Sequence, residues 1–179
     1  MKATGIVRRI DDLGRVVIPK EIRRTMRIRE GDPLEIYTTR EGEVIFKKYS
    51  LIGGLEDFAA QFCDVLNRSS GFTAAVTDRD AVIAITGSGK RELLGKPLSD
   101  VLAQVMEQRS IYQYQGSGRP LPVSDSSDRY TVAVAAPILC EGDVLGLVLF
   151  LSSDAQIPGE GEYKLAQTVS AFLGRHMET

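Results

Sequence analysis

The apolar positions of the first fifty residues come in short bursts separated by charged turns. Thr4 to Ile10 and Arg15 to Ile18 carry the β-branched, alternating character of strands, and Asp11-Asp12-Leu13-Gly14 between them has the composition of a tight turn. Pro19 is placed to open a short helix, because its missing N–H would find no partner in a first turn. On that helix Ile22 and Met26 fall at i, i+4 and are expected on its buried face. Glu30 to Pro33 is a further turn, Leu34 to Thr39 a strand, and Val44 to Tyr49 another, which gives a β-β-α-β-β unit. Some fifty residues without disulfides or a metal are near the lower limit for an independent core, so a second copy is expected to complete it.

The pattern then changes period. Ser50 to Gly54, with its paired glycines, marks a break, giving a first domain over 1–50, a linker over 51–54 and a second domain over 55–179. Leu55, Phe58, Ala59, Phe62, Val65 and Leu66 lie at helical spacing, and two strands follow over Phe72 to Thr77 and Ala81 to Thr86. A helix from about Leu98 to Gln108 precedes the tyrosine-bearing stretch Ile111 to Gln115 and a Gly/Ser/Pro/Asp-rich loop running to Asp128. The strongest strand pair is Tyr130 to Ile138 with Asp143 to Leu151, turning at Cys140-Glu141-Gly142. A last helix near Gly161 to His176 places Leu165, Val169, Phe172 and Leu173 on one face. Helix, antiparallel sheet and helix predict an α+β fold of the sensor type.

Charge divides the chain at the same place. Residues 1 to 50 hold twelve Lys/Arg against eight Asp/Glu, and residues 51 to 179 hold ten against sixteen. The net charge of −2 therefore conceals a basic first part, which predicts an anionic partner such as nucleic acid. The longest apolar stretch, Val144 to Leu151, is far short of the roughly 20 residues of a membrane span. The start of the sequence shows no signal-peptide core, so the cytoplasm is the expected location and no membrane partner is expected.

Catalytic constellations are not evident in the residue pattern. His176 is the only histidine and sits where a cation suits a helix C-terminus. Gly87-Ser88-Gly89-Lys90 is similar to a phosphate loop, but Ala84 and Arg91 stand where that loop requires Gly and Ser or Thr, so a plain turn is expected. Asp78/Asp80 and Asp125/Asp128 lack the spacing of a calcium loop, and Cys63 and Cys140 are read as ordinary thiols. No enzyme activity, metal or cofactor is predicted.

The arginines require a different explanation. Basic residues on a small domain usually form a solvated face, but here arrangement argues otherwise. Arg8 stands near the end of the first strand and Arg15 directly after Gly14, across the same turn. Arg23 and Arg24 project outward if Ile22 and Met26 point in. Dimerisation doubles this set, and a double-stranded DNA backbone is the partner that matches eight guanidinium groups. Planar guanidinium can grip phosphate bidentately or reach a base edge.

These residues also carry a resemblance. The run from Lys2 to Tyr49, with TGIVR, then DDLGRVVIP, then a helix bearing an Arg-Arg pair, closely resembles the swapped-hairpin DNA-binding domain of AbrB-type transition-state regulators. The resemblance implies an interleaved homodimer through residues 1–50, shaped as a β-barrel, with DNA contacts at Arg8, Arg15, Arg23 and Arg24. The two-domain plan is similar to that of forespore regulators in which a GAF-like domain follows. It implies a sporulation regulator that activates or represses promoters, on the nucleoid and in the forespore. A GAF-like domain would be an antiparallel sheet flanked by helices. The Asn-Lys-Phe-Asp-Glu signature of cyclic-nucleotide-binding GAF domains is absent. Tyr112, Tyr114 and the 116–128 loop are the expected border of any pocket for a small-molecule effector. The first and last helices of this domain are expected to pair copies into a homotetramer. Two other functions stay open: an antitoxin-like DNA-binding protein that neutralises a partner protein, and a small-molecule sensor module.

Overall fold

The computed structural model describes residues 4–49 and 55–178. The chain divides into two units, Met1–Tyr49 and Ser50–Thr179. The expected linker, residues 51–54, lies outside the described residues.

In the first unit the Asp11–Gly14 turn closes as its residues require. The Gly14 N–H donates to the Asp11 carbonyl at 3.0 Å, and the Asp11 N–H donates to the Arg15 carbonyl at 3.1 Å. Gly14 sits at φ +76°, a left-handed conformation open to glycine at no steric cost. The flanking segments 4–10 and 15–18, expected as strands, form none in the single chain. A strand needs a neighbour to bond to, and this hairpin extends no ladder beyond its turn. Helix α1 covers Lys20–Thr25, entered from Pro19 at φ −57° and ψ 148°. Met26, expected on the buried face, is exposed at the helix end, and Ile22 is only half-buried. Strands β1 (Leu34–Thr38) and β2 (Val44–Lys48) pair antiparallel, with Ile36 opposite Phe46.

The second unit is built on one antiparallel sheet. Its elements are α2 (Glu56–Ser70), β3 (Thr73–Thr77), β4 (Val82–Thr86), α3 (Lys90–Leu93), α4 (Asp100–Glu107), β5 (Tyr112–Gln113), β6 (Pro122–Ser124), β7 (Ser127–Cys140), β8 (Asp143–Ser152) and α5 (Glu160–His176). The strand order is β4-β3-β8-β7-β5, with β6 also paired to β7. The expected loop over 116–128 thus contains β6 and the start of β7, because Pro122 and Ser124 find partners at Thr131 and Ser127.

Alternation along the strands divides the core between two faces. Val148 and Phe150 of β8 pack with Ala59, Cys63 and Leu66 of α2 and Ala166, Val169 and Leu173 of α5. Leu147, Leu149 and Leu151 pack on the opposite side with Leu93, Leu98, Leu102, Met106 and Tyr130. A register shift between Val132 and Val134 lets Ala133 and Val134 serve the same face. Glycine allows α5 to lie close on the sheet: a Cβ on Gly174 would overlap the Leu139 carbonyl oxygen. Ser99 caps α4, accepting the Leu102 N–H at 3.1 Å while donating to the Pro122 carbonyl at 2.7 Å.

Candidate nucleic-acid interface

Three of the four predicted arginines are positioned by two local devices. The first is the turn. Asp11 Oδ1 accepts the N–H groups of Leu13 at 3.0 Å and Arg15 at 2.7 Å, and Oδ2 accepts Nε–H of Arg15 at 2.8 Å. These bonds from the Arg15 N–H and then its guanidinium hold the Asp11 carboxyl below the ordinary carboxylate range. The second is the exit of α1. Arg23 and Arg24 occupy its last turn, where cations suit the helix dipole, and the Ile28 N–H donates to the Arg23 carbonyl at 2.7 Å. Lys48 of β2 donates to the Arg27 carbonyl at 2.8 Å and lies 3.6 Å from Asp32, which ties this exit to the hairpin β1–β2.

Arg8, Arg15, Arg23 and Arg24 are all exposed. Arg23 and Arg24 are brought together on the helix, Arg15 is held at the turn, and Arg8 lies in the segment that forms no strand. Among the described residues, Arg15 is the one of the four with an ion pair. Sequence reasoning assigned Asp11 to the turn and missed its bond to Arg15. The signal was present: an Asp four residues ahead of an Arg, with Gly between, is the spacing of a side chain folding back over a turn.

Exposed apolar side chains share the first unit with these arginines. Val7 is 85% exposed and Val17 71%, and Ile10, Leu13, Ile36, Val44 and Phe46 are exposed with them. Pro19 is the one buried residue in 4–49.

In the second unit the residues weighed for chemistry have packing roles. Cys63 is buried between helix and sheet, and that burial pushes its thiol pKa up to about 12, which leaves it protonated and unreactive near neutrality. His176 stacks on Phe58 at 5.0 Å and lies 6.1 Å from Phe172. Asp78 Oδ1 accepts the N–H groups of Asp80 at 2.8 Å and Ala81 at 2.7 Å, closing the β3–β4 turn. A side chain on Gly87 would meet Thr73 and one on Gly89 the Tyr130 ring, so both glycines serve close packing. Tyr114 is buried and Tyr112 half-buried against the core, where desolvation raises the Tyr112 pKa.

Comparison with known proteins agrees with this division. Residues 54–178 match the family described as "Stage V sporulation protein T C-terminal, transcription factor", and residues 7–51 match "Antidote-toxin recognition MazE, bacterial antitoxin". Stage V sporulation protein T of Bacillus subtilis (strain 168) is 51% identical over 181 aligned positions, spanning 99% of each chain. The transition state regulatory protein AbrB of the same organism is 63% identical over 49 residues, 27% of this chain and half of that protein. The GAF domain/HD domain protein from Geobacter sulfurreducens superposes with a TM-score of 0.51 at 18% identity, covering 73% of this chain and 99% of its own, so the second unit has the GAF fold. The basic, arginine-bearing first unit and the GAF-like second unit are those of a DNA-binding transcriptional regulator, and the chain belongs to the stage V sporulation protein T family.

Proposed function

We propose that Arg8, Arg15, Arg23 and Arg24 carry the DNA contact of this sporulation regulator, contributed by both chains of a homodimer formed through residues 1–50. The observation that carries it is the combination, within 4–49, of four exposed arginines with an apolar set that one chain leaves in water. A second copy covering Val7, Val17, Ile36 and Phe46 would give segments 4–10 and 15–18 their missing strand neighbours and double the guanidinium count. The AbrB identity over 49 residues supports the same arrangement. Residues 51–54 act as the linker and 55–179 as the regulatory domain. That domain joins dimers into a homotetramer through α2 and α5, where Phe58, Phe62 and the half-exposed Phe172 form an aromatic group. A small-molecule effector bound by the GAF-like domain tunes the assembly. The protein acts without catalysis, in the cytoplasm on the nucleoid, and in the forespore by resemblance. The antitoxin reading has the MazE match to residues 7–51 on its side, but the full-length likeness to a sporulation protein favours regulation.

The test uses full-length protein and a duplex that the wild type selects from a randomised pool. Arg15→Ala and Arg23→Ala should stay folded and bind more weakly. For each phosphate that a variant no longer neutralises, the slope of log K against log salt should become shallower by about 0.9. Folded variants that bind as the wild type does would sink the assignment.

A further inference from the structure

We infer that Asp11 is the positioning residue of Arg15, fixing which edge of the guanidinium is offered to DNA and exchanging affinity for discrimination between sequences. The inference rests on Arg15 being a DNA contact. Three hydrogen bonds join these two residues: the Asp11 N–H to the Arg15 carbonyl, the Arg15 N–H to Oδ1, and Nε–H to Oδ2. One residue therefore holds both the backbone and the head of Arg15. Arginine otherwise carries large side-chain rotamer freedom and five donors that serve any acceptor within reach. With Nε engaged, the terminal nitrogens are the donors left to a partner, on a side chain that is 69% exposed. That end-on edge matches paired acceptors such as guanine O6 and N7, or two phosphate oxygens. The Asp11 carboxylate, held ionised through the neutral range, repels phosphate and so lowers binding to every sequence alike.

Asp11→Asn separates this from a role in the turn alone, because the amide oxygen can still accept the N–H groups of Leu13 and Arg15 while the amide nitrogen cannot accept from Nε. In full-length protein the ratio of affinity for the selected duplex to that for calf-thymus DNA should fall about tenfold, within the range of one bidentate base contact. Affinity for calf-thymus DNA should rise a few-fold, and its salt slope should steepen by up to about 0.9 as the freed guanidinium pairs with phosphate. In an Arg15→Lys background, Asp11→Asn should leave the ratio unchanged. Asp11→Glu, which keeps the charge but moves it by one methylene, should lower the ratio without the rise in calf-thymus binding. It serves as the test should the Asn variant fail to fold. A wild-type ratio in a folded Asp11 variant overturns the inference, as does an equal fall in the Lys background or a wild-type protein whose ratio is near one. If Arg15→Ala binds as wild type, it is the DNA-contact assignment that fails. If Arg15→Ala loses binding while Asp11→Asn keeps the ratio, the positioning role alone falls.

Discussion

Residues 4–49 and 55–178 use the same kinds of apolar residue to opposite ends. Every buried apolar side chain of the two core clusters lies between Ala59 and Leu173. In 4–49, Ile6, Val7, Ile10, Val16 and Val17 stay in water, although their sequence reads as strand. The difference is one of closure. The sheet of the second unit is covered on both faces by helices from its own chain, whereas a two-stranded ladder and a six-residue helix cannot bury a set of that size. A unit that cannot close alone needs a partner to cover its apolar set, and under the proposed arrangement the arginines sit on that same unit, so assembly and DNA binding would be one event.

The sharpest way to break this comparison is a charge on the open face. Val17→Asp on an isolated chain would alter stability by less than about 0.5 kcal/mol, as surface changes do. If a second copy covers Val17, the same change buries an unpaired charge. The unfolding transition of the first unit and DNA binding should then be lost together, while the near-ultraviolet signal of the second unit persists.

Phe150→Ala reverses the target. Phe150 is fully buried in the central strand β8, and its loss should destabilise the second unit by about 3–5 kcal/mol in urea unfolding. The first unit's own transition should not move. Gly174→Ala tests the tight seat of α5 on β7. The added methyl has no room beside the Leu139 carbonyl, and overpacking of this kind costs about 1–3 kcal/mol.

The last effect is absent at neutral pH and appears only in alkali. Cys63 has its folded pKa raised from 9.0 to about 12 by burial, so the neutral thiol's contribution is complete below pH 9 and lost as pH climbs toward 12. Urea unfolding should show the second unit weakening across that window, with a flatter profile for Cys63→Ala.

How much of this was legible in advance differs by region for a physical reason. Period-2 and period-3.6 patterns located β8 and α5 within a residue or two, because their partners lie in the same chain. The stretch 116–128 read as loop from its Gly, Ser and Pro content, yet β6 forms there because β7 offers an edge, a fact no local pattern carries. The arginines were legible as charge beside a turn and a helix start. The Asp11 clamp on Arg15 was not singled out, since a turn-forming Asp has the same composition whether or not its second oxygen holds a guanidinium.

Local chemistry alone settled the two-part plan, the Asp11–Gly14 turn, the helix begun by Pro19 and the sign of the surface around it, because turn formers, periodicity and charge act over a few residues. Which face of each strand is buried, where the bulge in β7 falls, and that the first unit is left open depend on contacts between residues far apart in the chain, and those were decided only when the sheet assembled.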